Sequence, residues 1–396
     1  MKILYLYADD TYFWRNRLGL ACEARDQGFD VVLKAPVSDY RSQIEKEGIR
    51  VIPWKLSRRS INPFRELSSL LEVLRVYRRE RPDIVQHETL KAIIHGGVAT
   101  RLTGHKPSVN VICGLGAIFV RSDWKTKVIR LLLLRVLSYV FRSPNSQVAF
   151  QNDRDRELLV SANAVARGQT HVTPGNGVRV ERFTPQPEPE GIPIVLLAAR
   201  MLWEKGVGEF VEAAKILRER NVSVRFVLVG APDRDNPGCI PEEQLLSWAC
   251  SGIVEWWGSR ADMPSVYAQS SLVCLPSYYG EGLPNVLAEA GASGRAVVTT
   301  NIPGCLQAVT DGENGLVVPV RDPKGLAAAI QRLLEDPELR ERMGAAGRRR
   351  AVQEFSHARI VGQILSIYRG LLDEKWPEPA SRAESSDANA GVFLQA

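Results

Sequence analysis

The stretch Pro276-Ser-Tyr-Tyr-Gly280-Glu281-Gly282-Leu283-Pro284-Asn285-Val-Leu-Ala-Glu289-Ala-Gly291 decides the reading of this chain. It continues the uncharged run SLVCLPS (271–277), which reads as a buried strand. The glycines that follow predict a tight loop, and Pro284, a residue suited to a first helical position, predicts a helix from there to Ala292. A strand that passes through such a loop into a helix delivers the unbonded N–H groups of the first turn to whatever lies beyond the strand, and these favour an anion such as a diphosphate. Gly280 and Gly282 allow close approach of a ligand to the backbone. Glu281 stands at the mouth of the helix. Glu289, eight positions on, lies a little over one turn inside it, where a carboxylate can accept bonds from paired hydroxyls. The E-x7-E spacing alone means little, because exposed helices are rich in glutamate; the glycines, the proline and the buried strand give it weight.

A second element, Arg200-Met-Leu-Trp-Glu-Lys205-Gly206, directly follows the strand-like run IVLLAA (194–199). In an open α/β sheet, ligands bind beyond the carboxyl ends of the strands, so Arg200 and Lys205 are expected at the same cleft. Arginine can fork onto phosphate oxygens and lysine adds a point charge. Gly230, closing the strand VRFVLVG (224–230), and Arg260, following IVEWWG (253–258), complete the candidate donor-binding set with Gly282, Leu283, Pro284, Asn285 and Glu289.

Outward from these elements, apolar runs alternate with helical patterns along the whole chain, which predicts α/β architecture with parallel sheets. In the first half the strands are ILYLY (3–7), DVVLKA (30–35), RVIPW (50–54), DIVQH (83–87), SVNVIC (108–113) and QVAFQN (147–152). The helices are Arg15–Gln27, Pro63–Glu80 with Leu67, Leu70, Leu71, Leu74 and Tyr77 on one face, Ile93–Leu102, and Trp124–Phe141 with Val128, Leu131, Leu132, Arg135 and Ser138 along one line. In the second half AVVTT (296–300) is a further strand, and Val207–Arg220, Lys324–Leu334, Pro337–Glu354 and His357–Leu372 are helices. The Pro- and Glu-rich stretch 184–193 reads as a linker, dividing a first domain at 1–183 from a second at 184–356. The helix over 357–373 returns across both, and a polar tail over 374–396 is expected to be disordered.

A chain of 396 residues, 45% hydrophobic and 24% charged, is long enough for two full cores. Its six cysteines form no C-x-x-C pair, which argues against a zinc site or disulfide framework and for a reducing cytoplasm. MKILYLYADD has too short an apolar run for a signal peptide, and no stretch reaches the roughly 18 uncharged apolar residues of a membrane span. Residues 1–180 carry 29 basic and 17 acidic residues and the remainder 22 and 28, so a net charge of +6 divides into +12 and −6. A basic first half fits either an anionic partner (lipid headgroups, a phosphorylated acceptor or nucleic acid) or a solvated surface. The helix Trp124–Phe141 sets Lys125, Lys127, Arg130 and Arg135 among leucines, with Arg142 just beyond, as would suit the surface of an anionic membrane or a core helix with snorkelling arginines.

These residues resemble the retaining glycosyltransferases of family 4, which have the GT-B fold of two Rossmann-like parallel-sheet domains facing a central cleft. The likeness runs over about residues 1–373. Glu281 to Glu289 matches the family's E-x7-E motif, Arg200 with Lys205-Gly206 its R-x4-K-G motif, and Asn176-Gly177-Val178 with Phe183 and Pro185 its N-G-V-x4-F-x-P junction. Asn62-Pro63-Phe64, Gly114-Leu115-Gly116, Ala199 to Val207, Asp235-Asn-Pro-Gly-Cys239, Leu275-Pro-Ser-Tyr and Gly304-Cys305 are similar to transferases that extend polyprenyl-diphosphate-linked sugars, N-acetylgalactosaminyltransferases among them. The resemblance implies that Arg200 and Lys205 bind the donor diphosphate, that Glu281 contacts the donor sugar, that the amides of Gly282 and Leu283 reach the sugar or phosphate, and that Glu289 holds the ribose hydroxyls. On the acceptor side the candidates are Asp10, Gly114 and Gly116, with His87, which ends a strand and reads either as a substrate contact or as a structural histidine. There the chain departs from the pattern: Ala8-Asp9-Asp10-Thr11 replaces a Gly-Gly pair, Cys113 replaces a histidine, and Gln307 stands where relatives carry a glutamate.

The expected partners are a nucleotide-sugar, most readily UDP-linked, and a lipid-linked or saccharide acceptor, with peripheral contact at the cytoplasmic face of the inner membrane and no nucleic acid. No metal or other cofactor is expected, since two cations already face the diphosphate; Asp153-Arg-Asp155 and Asp233-Arg-Asp235 read as surface turns. A sugar-nucleotide epimerase of the same architecture and a non-catalytic nucleotide-sugar binder are the alternatives. A nicotinamide-dependent enzyme is disfavoured because Gly114-Leu-Gly116 lacks the third glycine of G-x-G-x-x-G. A nucleic-acid binder is disfavoured because no zinc pattern or aromatic-basic run is present.

Overall fold

Each of the apolar runs read above as a strand forms one, and every one pairs parallel to its neighbours. The computed structural model describes residues 1–57, 62–104, 106–116, 119, 123–234, 236–278, 280–372 and 376. Two units divide the chain: residues 1–176 with the segment from Ile360 onward, and Gly177–Arg359.

The first unit holds β1 (Lys2–Tyr7), β2 (Asp30–Ala35), β3 (Arg50–Pro53), β4 (Ile84–Glu88), β5 (Ser108–Ile112), β6 (Ser146–Phe150) and β7 (Thr170–Val172), in the order β3-β2-β1-β4-β5-β6-β7. The second holds β8 (Ile194–Ala198), β9 (Arg225–Val229), β10 (Glu255–Trp256), β11 (Leu272–Leu275), β12 (Ala296–Thr300) and β13 (Gly315–Val318), in the order β10-β9-β8-β11-β12-β13. Both orders reverse direction beside their first strand, between β1 and β4 and between β8 and β11. That is where the loops leaving a doubly wound sheet diverge and leave room for a ligand. The inner strands are buried on both faces, as in β1, where Ile3 through Tyr7 are all buried; continuous rather than alternating apolar runs are the sequence mark of such strands.

The structure corrects several boundaries. The helix expected over Arg15–Gln27 is two, Asp10–Asn16 and Leu18–Asp26. Asp9 caps the first by accepting from the Thr11 and Tyr12 amides at 2.9 and 3.3 Å, and Arg17 breaks the run by turning its side chain inward. Residues 177–183, placed by sequence in the first half, pack in the second unit: the Val178 amide donates to the Phe355 carbonyl at 2.8 Å, and Val180 and Phe183 enter its core. The stretch 184–193 lies on that unit too, because Arg340 holds the Glu188 carboxylate with two bonds of 2.9 and 2.7 Å. From Ile360 on, the helix His357–Leu372 packs into the core of the first unit beside β1 and β2. Asp153-Arg-Asp155 is the first turn of the helix Asp153–Ser161, capped by Asn152 Oδ1, which accepts from the Asp155 amide at 2.8 Å; it is not a surface turn. Asp235 and, apart from Trp376, the tail 374–396 lie outside the described residues.

Two helices depart from their expected faces. On Pro63–Glu80 the buried residues are Ser69, Val73, Leu74 and Tyr77, so Leu74 and Tyr77 face inward as expected with Leu70 half-buried, and Leu67 and Leu71 point outward. On Trp124–Phe141 only Leu137, Val140 and Phe141 are buried, and Val128, Leu131 and Leu132 are exposed.

Candidate active site

At the carboxyl end of β8 the chain enters a short 3-10 turn, Trp203–Lys205, and closes it with Gly206 in the left-handed conformation at φ 77°. A Cβ at Gly206 would collide with the Pro276 carbonyl oxygen, so glycine is required both by φ and by space. Pro276 belongs to the loop leaving β11, the neighbour of β8 across the switch point. The two loops are tied together: Ser277 Oγ and the Tyr278 amide donate to the Glu204 carbonyl at 3.0 and 3.1 Å. This fixes Lys205 against Glu281. Lys205 Nζ donates to Glu281 Oε1, the Ser277 hydroxyl lies 3.0 Å from the same oxygen and shares its one proton between it and the Glu204 carbonyl, and both charged side chains are largely buried. The structure thus joins the two motifs that the sequence presented 76 residues apart.

Gly282, Leu283 and Pro284 are buried at the start of the helix Asn285–Ala292. Pro284 occupies the cap, in extended conformation, rather than the first helical position expected for it. Gly304, at the start of the helix Pro303–Ala308, lies so close to Gly282 that a Cβ there would strike the Gly282 carbonyl oxygen. Inside the helix, Glu289 Oε2 accepts from the Tyr267 hydroxyl at 2.8 Å, which fixes its rotamer, and burial raises its pKa while Tyr267 and Arg182 oppose the rise.

Arg200 leaves the same strand end as Lys205, but in this state its guanidinium pairs with Asp233 at 2.6 Å, at an exposed position. Arg260 forks onto Asp262 at 2.7 and 2.6 Å beside the Trp257 ring. Gly230, at φ 143°, is needed where β8 and β9 end together, since a Cβ would meet the Ala199 carbonyl oxygen; this accounts for the glycine by packing.

In the first unit His87 is a core residue, a correction to its place among the acceptor-side candidates. It is wholly buried, with Nδ1 against Asn110 Oδ1 and Nε2 against the Tyr77 hydroxyl, both at 2.8 Å, and Gly96 closes over its ring. Burial lowers its pKa to about 4, so it is neutral at physiological pH. Asp10 is buried and accepts from the Ser38 amide at 2.7 Å, which binds the loop after β1 to the loop after β2. Gly114 and Gly116 adopt positive φ of 132° and 68° after β5.

A group that the sequence reading missed occupies the β1/β4 switch point. Arg17 forks onto the Glu88 carboxylate at 2.8 and 3.0 Å, both fully buried. The same carboxylate accepts from the Tyr7 hydroxyl at 2.6 Å, the Tyr12 hydroxyl at 3.0 Å and the Cys113 thiol at 2.9 Å. Burial and the Glu88 charge push the Cys113 thiol well up, so it stays a neutral donor. Asn176 Oδ1 lies 3.2 Å from the Tyr12 hydroxyl, a second acceptor competing with Glu88 for its one proton. The signal was a charged residue ending the apolar run IVQHE, one position beyond the predicted strand end. Among the described residues no cluster of three or more His, Cys, Asp or Glu could hold a metal ion, and no helix is long and apolar enough to cross a membrane.

Two doubly wound parallel units, the second with a cation and a glycine-flanked helix start at its switch point, define the GT-B class of glycosyltransferases. The chain matches the fold of Anabaena Alr3699/HepE in complex with UDP (TM-score 0.76, 20% identity, 93% of this chain and 100% of that one). It matches sucrose-phosphate synthase of Thermosynechococcus elongatus equally well (TM-score 0.76, 21% identity, 94% and 99%). A model described as "Glycosyl transferases group 1" matches residues 179–350, and one described as "Glycosyl transferase 4-like" matches residues 2–152. Among curated relatives, the chain is 27% identical over 381 residues to the N,N'-diacetylbacillosaminyl-diphospho-undecaprenol alpha-1,3-N-acetylgalactosaminyltransferase of Campylobacter jejuni, covering 93% of this chain and 98% of that one. It is 25% identical to the capsular polysaccharide biosynthesis glycosyltransferase CapM of Staphylococcus aureus (88% and 92%). It is 24% identical to the UDP-Gal:alpha-D-GlcNAc-diphosphoundecaprenol alpha-1,3-galactosyltransferase of Escherichia coli (88% and 91%). The chain belongs to the glycosyltransferases, group 1 in its second unit and 4-like in its first, and is a transferase enzyme.

Proposed function

We propose that this enzyme moves a hexose or N-acetylhexosamine from a UDP-sugar to a lipid-linked or saccharide acceptor, with retention at the anomeric carbon, in bacterial surface-glycan assembly. The observation that carries this reading is the Lys205–Glu281 pair, held at the β8/β11 switch point beside the start of the helix Asn285–Ala292. The acceptor class is supported by two relatives over most of their length, whose names specify undecaprenyl-linked substrates; one of those names specifies UDP-galactose.

In this mechanism the acceptor hydroxyl attacks from the face the diphosphate leaves, and no protein nucleophile is needed. As the C–O bond to the diphosphate lengthens, negative charge grows on the leaving oxygen. Lys205, Arg200 once it exchanges Asp233 for phosphate, and the helix start at Gly282–Pro284 stabilise that charge. Glu281, paired with Lys205, orients a hydroxyl of the donor sugar, and Glu289, held by Tyr267, accepts from the ribose hydroxyls. No metal is required, because the cations are supplied by the chain.

The acceptor is brought by the basic first unit at an anionic membrane surface. Trp124, Ile129 and Leu132 are exposed on a helix that also carries Lys125, Lys127 and Arg130, which favours the membrane reading over that of a core helix. Liposome flotation should show salt-sensitive binding to anionic vesicles.

The test is a thermal-shift panel of nucleotide sugars followed by transfer to a polyprenyl-diphosphate-linked sugar, with the anomeric configuration read by NMR. UDP-sugars should raise Tm and an α-linked product should form. An epimer formed from donor alone, without transfer, would replace this reading with that of an isomerase.

A further inference from the structure

The loop that carries Glu281 is held on both sides, and one of its holds lies outside the site described above. Glu281 stands between Gly280 and Gly282, so the backbone there supplies little restraint of its own. Beyond it, Gly304 packs against the Gly282 carbonyl. Before it, Thr300 Oγ1, at the end of β12, donates to the Ser277 carbonyl, and the Tyr278 amide donates to the Glu204 carbonyl at 3.1 Å. The half-buried Tyr278 side chain then meets Arg321, whose guanidinium carbon is 4.5 Å from the centre of the ring. Arg321 follows β13, so this contact passes β12 to reach the loop leaving β11. Burial raises the pKa of the Tyr278 hydroxyl, the Glu209 carboxylate in the first turn of the helix Val207–Glu219 adds to the rise, and Arg321 opposes it. Tyr278 is thus within reach of an acid from one element and a cation from another.

Arg321 holds its position at a cost. It is the second residue of the turn Val320–Arg321 and has φ 56°, in the left-handed region where glycine or asparagine is usual and an arginine is strained. Arg81, Asn163 and Asn221 share that region, but each follows the end of a helix, where it is common. Arg321 instead precedes a helix: Asp322 caps Pro323–Glu335 by accepting from the Gly325 amide at 2.9 Å. The cap fixes the residue after Arg321 and β13 fixes those before it, so the left-handed turn aims the guanidinium at Tyr278. Strain of this kind persists where the surroundings over-determine a residue, and it gathers where a reaction needs a group held in place.

We propose that Arg321 and Tyr278 are positioning residues for the transfer reaction: the guanidinium clamps the ring and so holds the loop that carries Glu281. The inference rests on the transfer reading and adds to it two residues that act through Glu281. When the donor enters, Lys205 and Glu281 share their contacts with the diphosphate and the sugar, so their ion pair restrains the loop less than in the free enzyme. The clamp then does more to place Glu281, and its loss lowers kcat more than it lowers donor affinity.

The experiment measures steady-state transfer by the full chain, from the UDP-sugar that raises Tm most to a polyprenyl-diphosphate-linked sugar, alongside UDP affinity by calorimetry and hydrogen exchange of the segment 277–283. The variants are Arg321→Gly, Arg321→Lys, Tyr278→Leu and the double variant Arg321→Gly with Tyr278→Leu. Glycine suits the backbone at position 321, so Tm should not fall in Arg321→Gly. Its kcat should fall at least about threefold, the weight of one exposed cation–π contact, with UDP affinity unchanged and faster exchange in the segment. Arg321→Lys keeps a cation over the ring and should retain more activity. In the Tyr278→Leu background Arg321→Gly should cost nothing further. An unchanged kcat in Arg321→Gly, exchange equal to wild type, or losses that simply add in the double variant overturns the proposal. So does a fall in Tm that matches the loss of activity, because the role is then structural only. Should Tyr278→Leu fail to fold, the comparison of glycine with lysine at position 321 decides, and equal losses in the two count against the clamp. A wild type that transfers no sugar would sink the transfer reading, and faster exchange in Arg321→Gly would still support the clamp.

Discussion

Replacing Lys205 with methionine removes the charged Nζ and keeps an unbranched side chain out to Cε. In the proposed mechanism Lys205 acts by being already in place when the leaving diphosphate gathers charge. The structure fixes it in three ways: the 3-10 turn that it ends, the left-handed Gly206 behind it, and the bonds of 3.0 and 3.1 Å that pin the Glu204 carbonyl to the β11 loop. Loss of one such preorganised donor lowers kcat by about 10²–10³, which is about 2.7–4 kcal/mol of barrier. The fold loses stability too, because the pair is largely buried, with side chains 17% and 14% exposed, and removing one partner of such a pair costs about 3 kcal/mol. The Ser277 hydroxyl, 3.0 Å from Glu281, offsets part of that cost. For a unit of this size such a loss moves Tm by about 6–12 °C, so transfer is measured well below the variant's Tm. Steady-state transfer with both substrates varied, alongside calorimetry, separates the two effects. Because Lys205 and Glu281 touch, a double variant with Glu281→Gln should lose less than the sum of the single losses. A kcat for Lys205→Met within about threefold of wild type, under 1 kcal/mol of barrier, refutes the reasoning. A Tm drop large enough to account for the lost activity refutes it as well.

Gly304→Ala should lower kcat/KM and Tm together, because the new Cβ meets the Gly282 carbonyl and displaces the loop that carries Glu281; unchanged kinetics would show the loop to be dispensable. Glu88→Gln leaves the buried Arg17 without its counter-charge and should destabilise the protein by about 3–5 kcal/mol in denaturant titrations, with a loss under 1 kcal/mol counting against a buried pair. Burial depresses the folded pKa of His87 from 6.5 to about 4, so its contribution is fully present above pH 6.5 and is lost as pH falls toward 4. That amounts to about 3 kcal/mol between pH 7 and pH 4 from this group, and His87→Phe should flatten that part of the stability profile; an unaltered slope would exclude His87 as its source. Transfer activity should survive EDTA, and its abolition would require a metal that the proposed mechanism does not use.

The part of the site proposed for the donor was legible because its signals are local. A buried strand, glycines, a proline and a helix start follow one another within 21 residues from Ser271 to Gly291, and each has a backbone reason independent of the rest of the chain. The acceptor half was not legible in this way. His87 and Glu88 are adjacent at the end of one strand, and sequence favoured the histidine as the candidate. The fold gave His87 to Tyr77 and Asn110 inside the core, and set Glu88 against Arg17, Tyr7, Tyr12 and Cys113. These partners come from β1, the helix after it, the junction that ends that helix and the loop after β5, so no spacing along the chain announces them.

The amino-acid sequence by itself determined the α/β class, the strand runs and the loops at Lys205 and Glu281, because apolar runs, glycine and proline act on the residues beside them. Tertiary structure decided which leucines of Pro63–Glu80 and Trp124–Phe141 face outward, that residues 177–193 join the second unit, and which of two neighbouring polar residues at the end of β4 enters a charged network. Those outcomes depend on what packs against each face, and that is set by residues far away in sequence.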